Sequence, residues 1–116
     1  MHEVSIMEAA AEAAEATARR EGAARIITLR LRVGTLSGVV PEALRFAFDV
    51  VVAQNPLLAG ATMEIETVPV VCWCATCAAE FSGADWINEC PRCHNPSGEL
   101  RQGRELEIAS VELEEA

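Results

Sequence analysis

Two C-x-x-C pairs constrain this chain more than any other feature. Cys74-Ala75-Thr76-Cys77 and Cys90-Pro91-Arg92-Cys93 are separated by twelve residues, and His94 follows directly. Such pairs let four thiolates converge on one tetrahedral ion at about 2.3 Å each, and Pro91 fixes one φ angle inside the second knuckle. Four thiolates fill the shell of Zn(II) and leave no position for water or substrate. Cys74, Cys77, Cys90 and Cys93 therefore read as a structural zinc site, with a rubredoxin-like iron as the chemical competitor. Cys72 extends the first pair to C-x-C-x-x-C. Two residues along a strand displace a side chain by about 6–7 Å, outside a compact knuckle, so Cys72 reads as a small buried side chain or a free thiol.

Around the cysteines the residue pattern predicts an α+β chain. Ser5 with Glu8 has the form of a capping box, and an Ala-rich helix is expected from Ser5 to about Arg20, ended by Gly22. Met7, Ala10, Ala11, Ala14 and Ala18 form its narrow apolar face. From Ile26 to Val33 the period changes to two, with Ile27, Leu29, Leu31 and Val33 on one face. Pro41 suits the first turn of a second helix whose apolar stripe is Leu44, Ala47, Phe48, Val51 and Val52. Further strands are expected at Met63–Thr67 and at Glu105–Leu113, with a phase shift near Ala109. The simplest architecture packs two helices on a three-stranded sheet and inserts the zinc-ribbon lobe between the last two strands. Residues 1–70 with 104–116 then form one domain and residues 71–103 the other. The ribbon has almost no apolar core of its own, so metal must hold it together.

Charge narrows the partners. The net charge is -9, there is no lysine, and six acids crowd the stretch from Glu99 to Glu115. A phosphate-binding surface needs clustered Lys and Arg, so nucleic acid is a poor partner. No apolar run is long enough to span a membrane and no export signal is visible, so the clustered cysteines are expected to be metal ligands in a reducing cytoplasm. Nothing resembles a nucleotide-binding loop.

His2 has two readings from the residues alone. One is a solvated terminal side chain; the other is a chelate in which the α-amine, the intervening amide nitrogen and the imidazole hold one ion in a plane. Ni(II) and Cu(II) favour such nitrogen-rich sites. His94 is the other histidine, and by itself it reads as a polar cap on the second knuckle.

Met1-His2-Glu3 before Ser5, the stretch Val33-Gly34-x-Leu36-Ser37-Gly38 before Pro41, the two C-x-x-C pairs and the acidic closing strand together resemble the HypA/HybF family of nickel metallochaperones. The resemblance covers nearly the whole chain. It implies a non-enzymatic carrier that binds Ni(II) through His2, with backbone nitrogens and Glu3 contributing, and delivers it during maturation of nickel-iron hydrogenase or urease. It implies structural zinc on Cys74, Cys77, Cys90 and Cys93, and nickel contact by His94 when a partner is bound. The partners it implies are a HypB-like maturation GTPase and the hydrogenase large-subunit precursor, with a homodimer left open. Two rivals stand beside it: a zinc-ribbon protein–protein adaptor that transports no metal, and a thiol redox enzyme.

Overall fold

The computed structural model describes residues 3–116, so His2 lies outside the described residues. Helix α1 runs Glu3–Arg20 and buries Met7, Ala11, Ala14 and Ala18, the face expected from the spacing. It begins earlier than the capping-box reading placed it. Ser5 is already inside the helix and Glu3 occupies the first turn, where an acid is favourable against the positive end of the helix dipole. Gly22 follows the helix at φ 68, and its N–H donates to the Arg19 carbonyl.

Strand β1, Ala23–Gly34, encloses Leu29, Leu31 and Val33 as the alternation predicts. Ile26 is fully buried and Ile27 only half-buried, one place out of that alternation. Helix α2, Pro41–Val52, has Pro41 in its first turn and buries Leu44, Ala47, Phe48 and Val51. A short 3-10 turn at Pro56–Leu58 is capped by Asn55, whose Oδ1 accepts from Leu57 N–H at 3.1 Å while its Nδ2 donates to Glu15 on α1. Strand β2, Thr62–Val68, and the closing strand, Leu106–Glu115, flank β1 in one three-stranded sheet with β1 in the middle. Polar side chains of β1 reach both neighbours: Arg30 donates to Glu64 on one side and to Ser110 on the other, and Thr28 meets Thr62 and Glu112 in the same way. In the closing strand Ile108 and the adjacent Ala109 are both half-buried, before Val111 and Leu113 resume alternation.

Between β2 and the closing strand lie β3 (Val71–Cys74), β4 (Ala79–Ser82), β5 (Asn88–Glu89), β6 (Pro96–Ser97) and β7 (Leu100–Gln102), which makes the closing strand β8. They form a three-stranded sheet in the order β4-β3-β7 and a two-stranded ladder of β5 with β6. The chain divides into two compact units, one of residues 1–31, 39–66 and 107–116, the other of residues 32–38 and 67–106. In the first, α1 and α2 pack on each other, and the enclosed side chains include Met7, Ile26, Leu29, Leu44 and Leu58. Each such large apolar side chain contributes roughly 1.5–3 kcal/mol when fully buried. In the second, the buried apolar side chains among the described residues are valines and cysteines: Val33, Val68, Val70, Cys72, Cys74 and Cys90.

Residues 32–38 belong to the ribbon unit because of backbone contacts that only glycine permits. Gly34 N–H donates to the Glu105 carbonyl at 2.7 Å, Leu36 N–H to Gly103 at 2.6 Å, and Thr35 N–H to Val68 at 3.0 Å. A Cβ on Gly34 would fall inside the van der Waals envelope of the Gly103 carbonyl, and Gly103 itself holds φ at 126. Gly34→Ala must push two backbones apart, and a loss of about 3 kcal/mol in unfolding free energy is expected. Denaturant titration followed by tryptophan fluorescence measures it, since Trp73 and Trp86 both lie in this unit; an unchanged midpoint would rule the contact out as a constraint.

Candidate metal centre

Cys74 ends β3, where pairing with β4 and β7 fixes its direction, and Cys90 directly follows β5. Both are buried, while Cys77 and Cys93, at the far side of each knuckle, are half-buried. The two knuckles repeat one backbone device. Cys77 N–H points back at the Cys74 sulfur, 3.4 Å away, and the N–H groups of Cys93 and Arg92 point at the Cys90 sulfur. The residue after each second cysteine then takes a left-handed conformation, Ala78 at φ 50 and His94 at φ 63. Asn95 Nδ2 donates to Thr76 Oγ1 at 3.0 Å and ties one knuckle to the other.

The four sulfurs lie within 4.8 Å of one another. Cys74 to Cys93 is 3.5 Å and Cys77 to Cys90 is 4.0 Å. A tetrahedron with metal–sulfur bonds of about 2.3 Å has sulfur–sulfur edges of about 3.8 Å. The cage therefore fits one thiolate-bound ion of zinc size with little adjustment. Proton affinities in the metal-free cage are unequal. Backbone N–H groups of Cys93 and Arg92 hold Cys90 down at about 6, whereas hydrogen bonding to Cys93, then burial, pushes Cys77 up to about 12. Cys93 is also raised: the Asn95 backbone lowers it, but burial and Cys74 outweigh that. An ion entering the cage at neutral pH must expel the protons held by Cys77 and Cys93, so its hold weakens as pH falls.

Cys72 is fully buried and stands outside this group; its sulfur accepts from Asn88 Nδ2 at 3.2 Å. Asn88 also accepts from the N–H groups of Ala84 and Asp85 and donates to the Asp85 carbonyl, so one side chain folds the loop that leads into Cys90. The sequence pattern did not single out Asn88 or Glu89. Glu89 Oε1 lies 2.8 Å from His94 Nδ1, with both side chains largely in solvent. Glu3, the remaining expected site residue, is half-buried in the first turn of α1.

A family model described as hydrogenase/urease nickel incorporation, metallochaperone, hypA matches residues 1–113. A protein named hydrogenase maturation factor HypA from Picosynechococcus sp. is 46% identical over 113 residues, covering 97% of this chain and 99% of that protein. The chain belongs to the HypA family. Another HypA, from Chloroflexus aurantiacus, is 43% identical over 97% of this chain and 98% of its own length. The solution structure of the nickel metallochaperone HypA from Helicobacter pylori has the same fold, with a TM-score of 0.71 at 24% identity and complete coverage of both chains. This HypA-family chain thus joins two helices and mixed sheets to a four-cysteine lobe, in a family of metallochaperones for nickel incorporation into hydrogenase and urease. No helix among the described residues is long and apolar enough to cross a membrane.

Proposed function

We propose that this chain carries Ni(II) on His2, with the α-amine, the neighbouring backbone nitrogens and Glu3 contributing, and delivers it during maturation of nickel-iron hydrogenase or urease. It catalyses no reaction itself and works in the cytoplasm. The receiving partners are a HypB-like GTPase and the hydrogenase large-subunit precursor. Cys74, Cys77, Cys90 and Cys93 hold a structural Zn(II), and His94 lends a nitrogen to the nickel during hand-over.

The match to a nickel-incorporation family over residues 1–113 carries this reading. Local chemistry supports it. Glu3 opens α1, and first-turn N–H groups of a helix have no carbonyl partner within the helix, so these amide nitrogens are not already committed to its ladder. Zinc in a closed thiolate cage fixes the ribbon and offers no open position, which leaves the exchangeable ion to nitrogen ligands elsewhere. All five cysteines are free thiols, as ligation in a reducing compartment requires. A terminal site exchanges its ion faster than a buried cage, and a carrier needs that exchange.

The test is the pH dependence of nickel binding. Imidazole and α-amine titrate near 6.5 and near 7.7–8.0, and the amide must also lose its proton. The nickel affinity of zinc-loaded protein, measured by calorimetry, should fall by roughly 100-fold or more from about pH 8 to about pH 6. A flat profile would point to carboxylate ligands and against this site.

A further inference from the structure

The backbone at His94 is held by a run of hydrogen bonds. Its N–H donates to the Cys90 carbonyl at 2.9 Å, Cys90 N–H donates to the Asn95 carbonyl at 3.0 Å, and Glu89 pairs with Pro96 across the β5–β6 ladder. These bonds close the second knuckle and set the left-handed backbone at His94. Within that frame the Glu89 carboxylate meets Nδ1 at 2.8 Å.

An ionised carboxylate has only acceptors, so Nδ1 must be the donor. The neutral ring then carries its proton on Nδ1 and its lone pair on Nε2. A neutral imidazole free in water prefers the opposite arrangement, with the proton on Nε2. Glu89 therefore decides which nitrogen can take a metal. Histidines that ligate metals commonly give their other N–H to a carboxylate, which fixes the tautomer and strengthens the ligand. The side chains are 72% and 63% exposed, and an exposed polar contact of this kind adds little to stability. The pair's effect is thus on the ring's orientation and tautomer more than on folding.

We infer that Glu89 is a positioning residue for nickel hand-over: it holds His94 as the Nδ1–H tautomer, so that Nε2 is presented to Ni(II). This rests on the reading of the chain as a nickel carrier, and it adds a residue and a ligand atom to it. One imidazole binds nickel weakly, so Nε2 acts as an added ligand to an ion already held by other groups.

The test uses full-length, zinc-loaded protein with His2 intact, with and without Glu89→Ala, which leaves no acceptor beside Nδ1. Nitrogen-15 spectra of the His94 ring report the tautomer directly before nickel is added, and nickel(II) chloride is then titrated while the ring signals are followed. The Nδ1–H form should dominate with Glu89 present and give way to Nε2–H in Glu89→Ala, and the hold of His94 on the bound nickel should weaken about 10-fold. An Nε2–H ring with Glu89 in place, or a tautomer and nickel response unchanged by Glu89→Ala, would overturn the inference. Failure of the carrier reading shows separately, as nickel uptake by otherwise native protein that His2→Ala does not reduce.

Discussion

Stripping the metal from the four cysteines, or replacing Cys77 by serine, should unfold the ribbon unit while the helical unit keeps its secondary structure. The reason is the imbalance between the two cores. The first unit encloses Met7, Ile26, Leu29, Leu44, Phe48 and Leu58, but the ribbon unit buries only valines and cysteines among its apolar residues. Structural zinc supplies on the order of 10 kcal/mol, which the valines of the ribbon cannot replace. Chance placement of the reporters separates the two units. Both tryptophans, Trp73 and Trp86, lie in the ribbon unit, and both α-helices lie in the other. A chelator should shift the fluorescence to that of solvated tryptophan and leave the helical circular dichroism nearly unchanged. Acidification should do the same, because protons return to Cys77 and Cys93 before the other unit is affected. Cys72→Ser should keep one zinc per chain, since Cys72 stands outside the sulfur group. Fluorescence indifferent to chelation would mean that the ribbon folds without its metal.

Periodicity made both helix faces readable. Met7, Ala11, Ala14 and Ala18 of α1 and Leu44, Ala47, Phe48 and Val51 of α2 are buried as their spacing requires, while Ala10 and Val52, expected on the same faces, are half-buried. The three strands of the first sheet lie within a few residues of their expected places, but the five short strands of the ribbon carry no readable period. The cysteine spacing carried the sulfur geometry because a C-x-x-C knuckle is a local structure. What stayed hidden depends on contacts distant in sequence or on exposed polar side chains. Gly34 looked like one more loop glycine; its approach to the Gly103 carbonyl places residues 32–38 in the ribbon unit, and no local pattern encodes that. Glu89 and Asn88 follow no hydrophobic period, and their roles arise only once the second knuckle has folded. Ser5 misled for the opposite reason: its local signal was sound, but the helix begins before it at Glu3.

Replacing His2 by alanine should remove nickel binding while leaving zinc and fold untouched. In the proposed site the imidazole would supply one of the nitrogens of a planar chelate, and it would also close the ring that makes loss of the neighbouring amide proton favourable. Removing it therefore weakens more than one bond, and an affinity loss of roughly 100-fold or more is expected. The four cysteines are not part of that chelate, so zinc stoichiometry should stay at one per chain and the fluorescence should not change. The decisive measurement is a nickel titration of zinc-loaded protein with a free amino terminus, run beside His2→Ala. Saturable uptake of one nickel in the first, and loss of that uptake with zinc retained in the second, is the predicted result. Equal nickel uptake by both proteins would contradict the assignment of the cargo to the N-terminus.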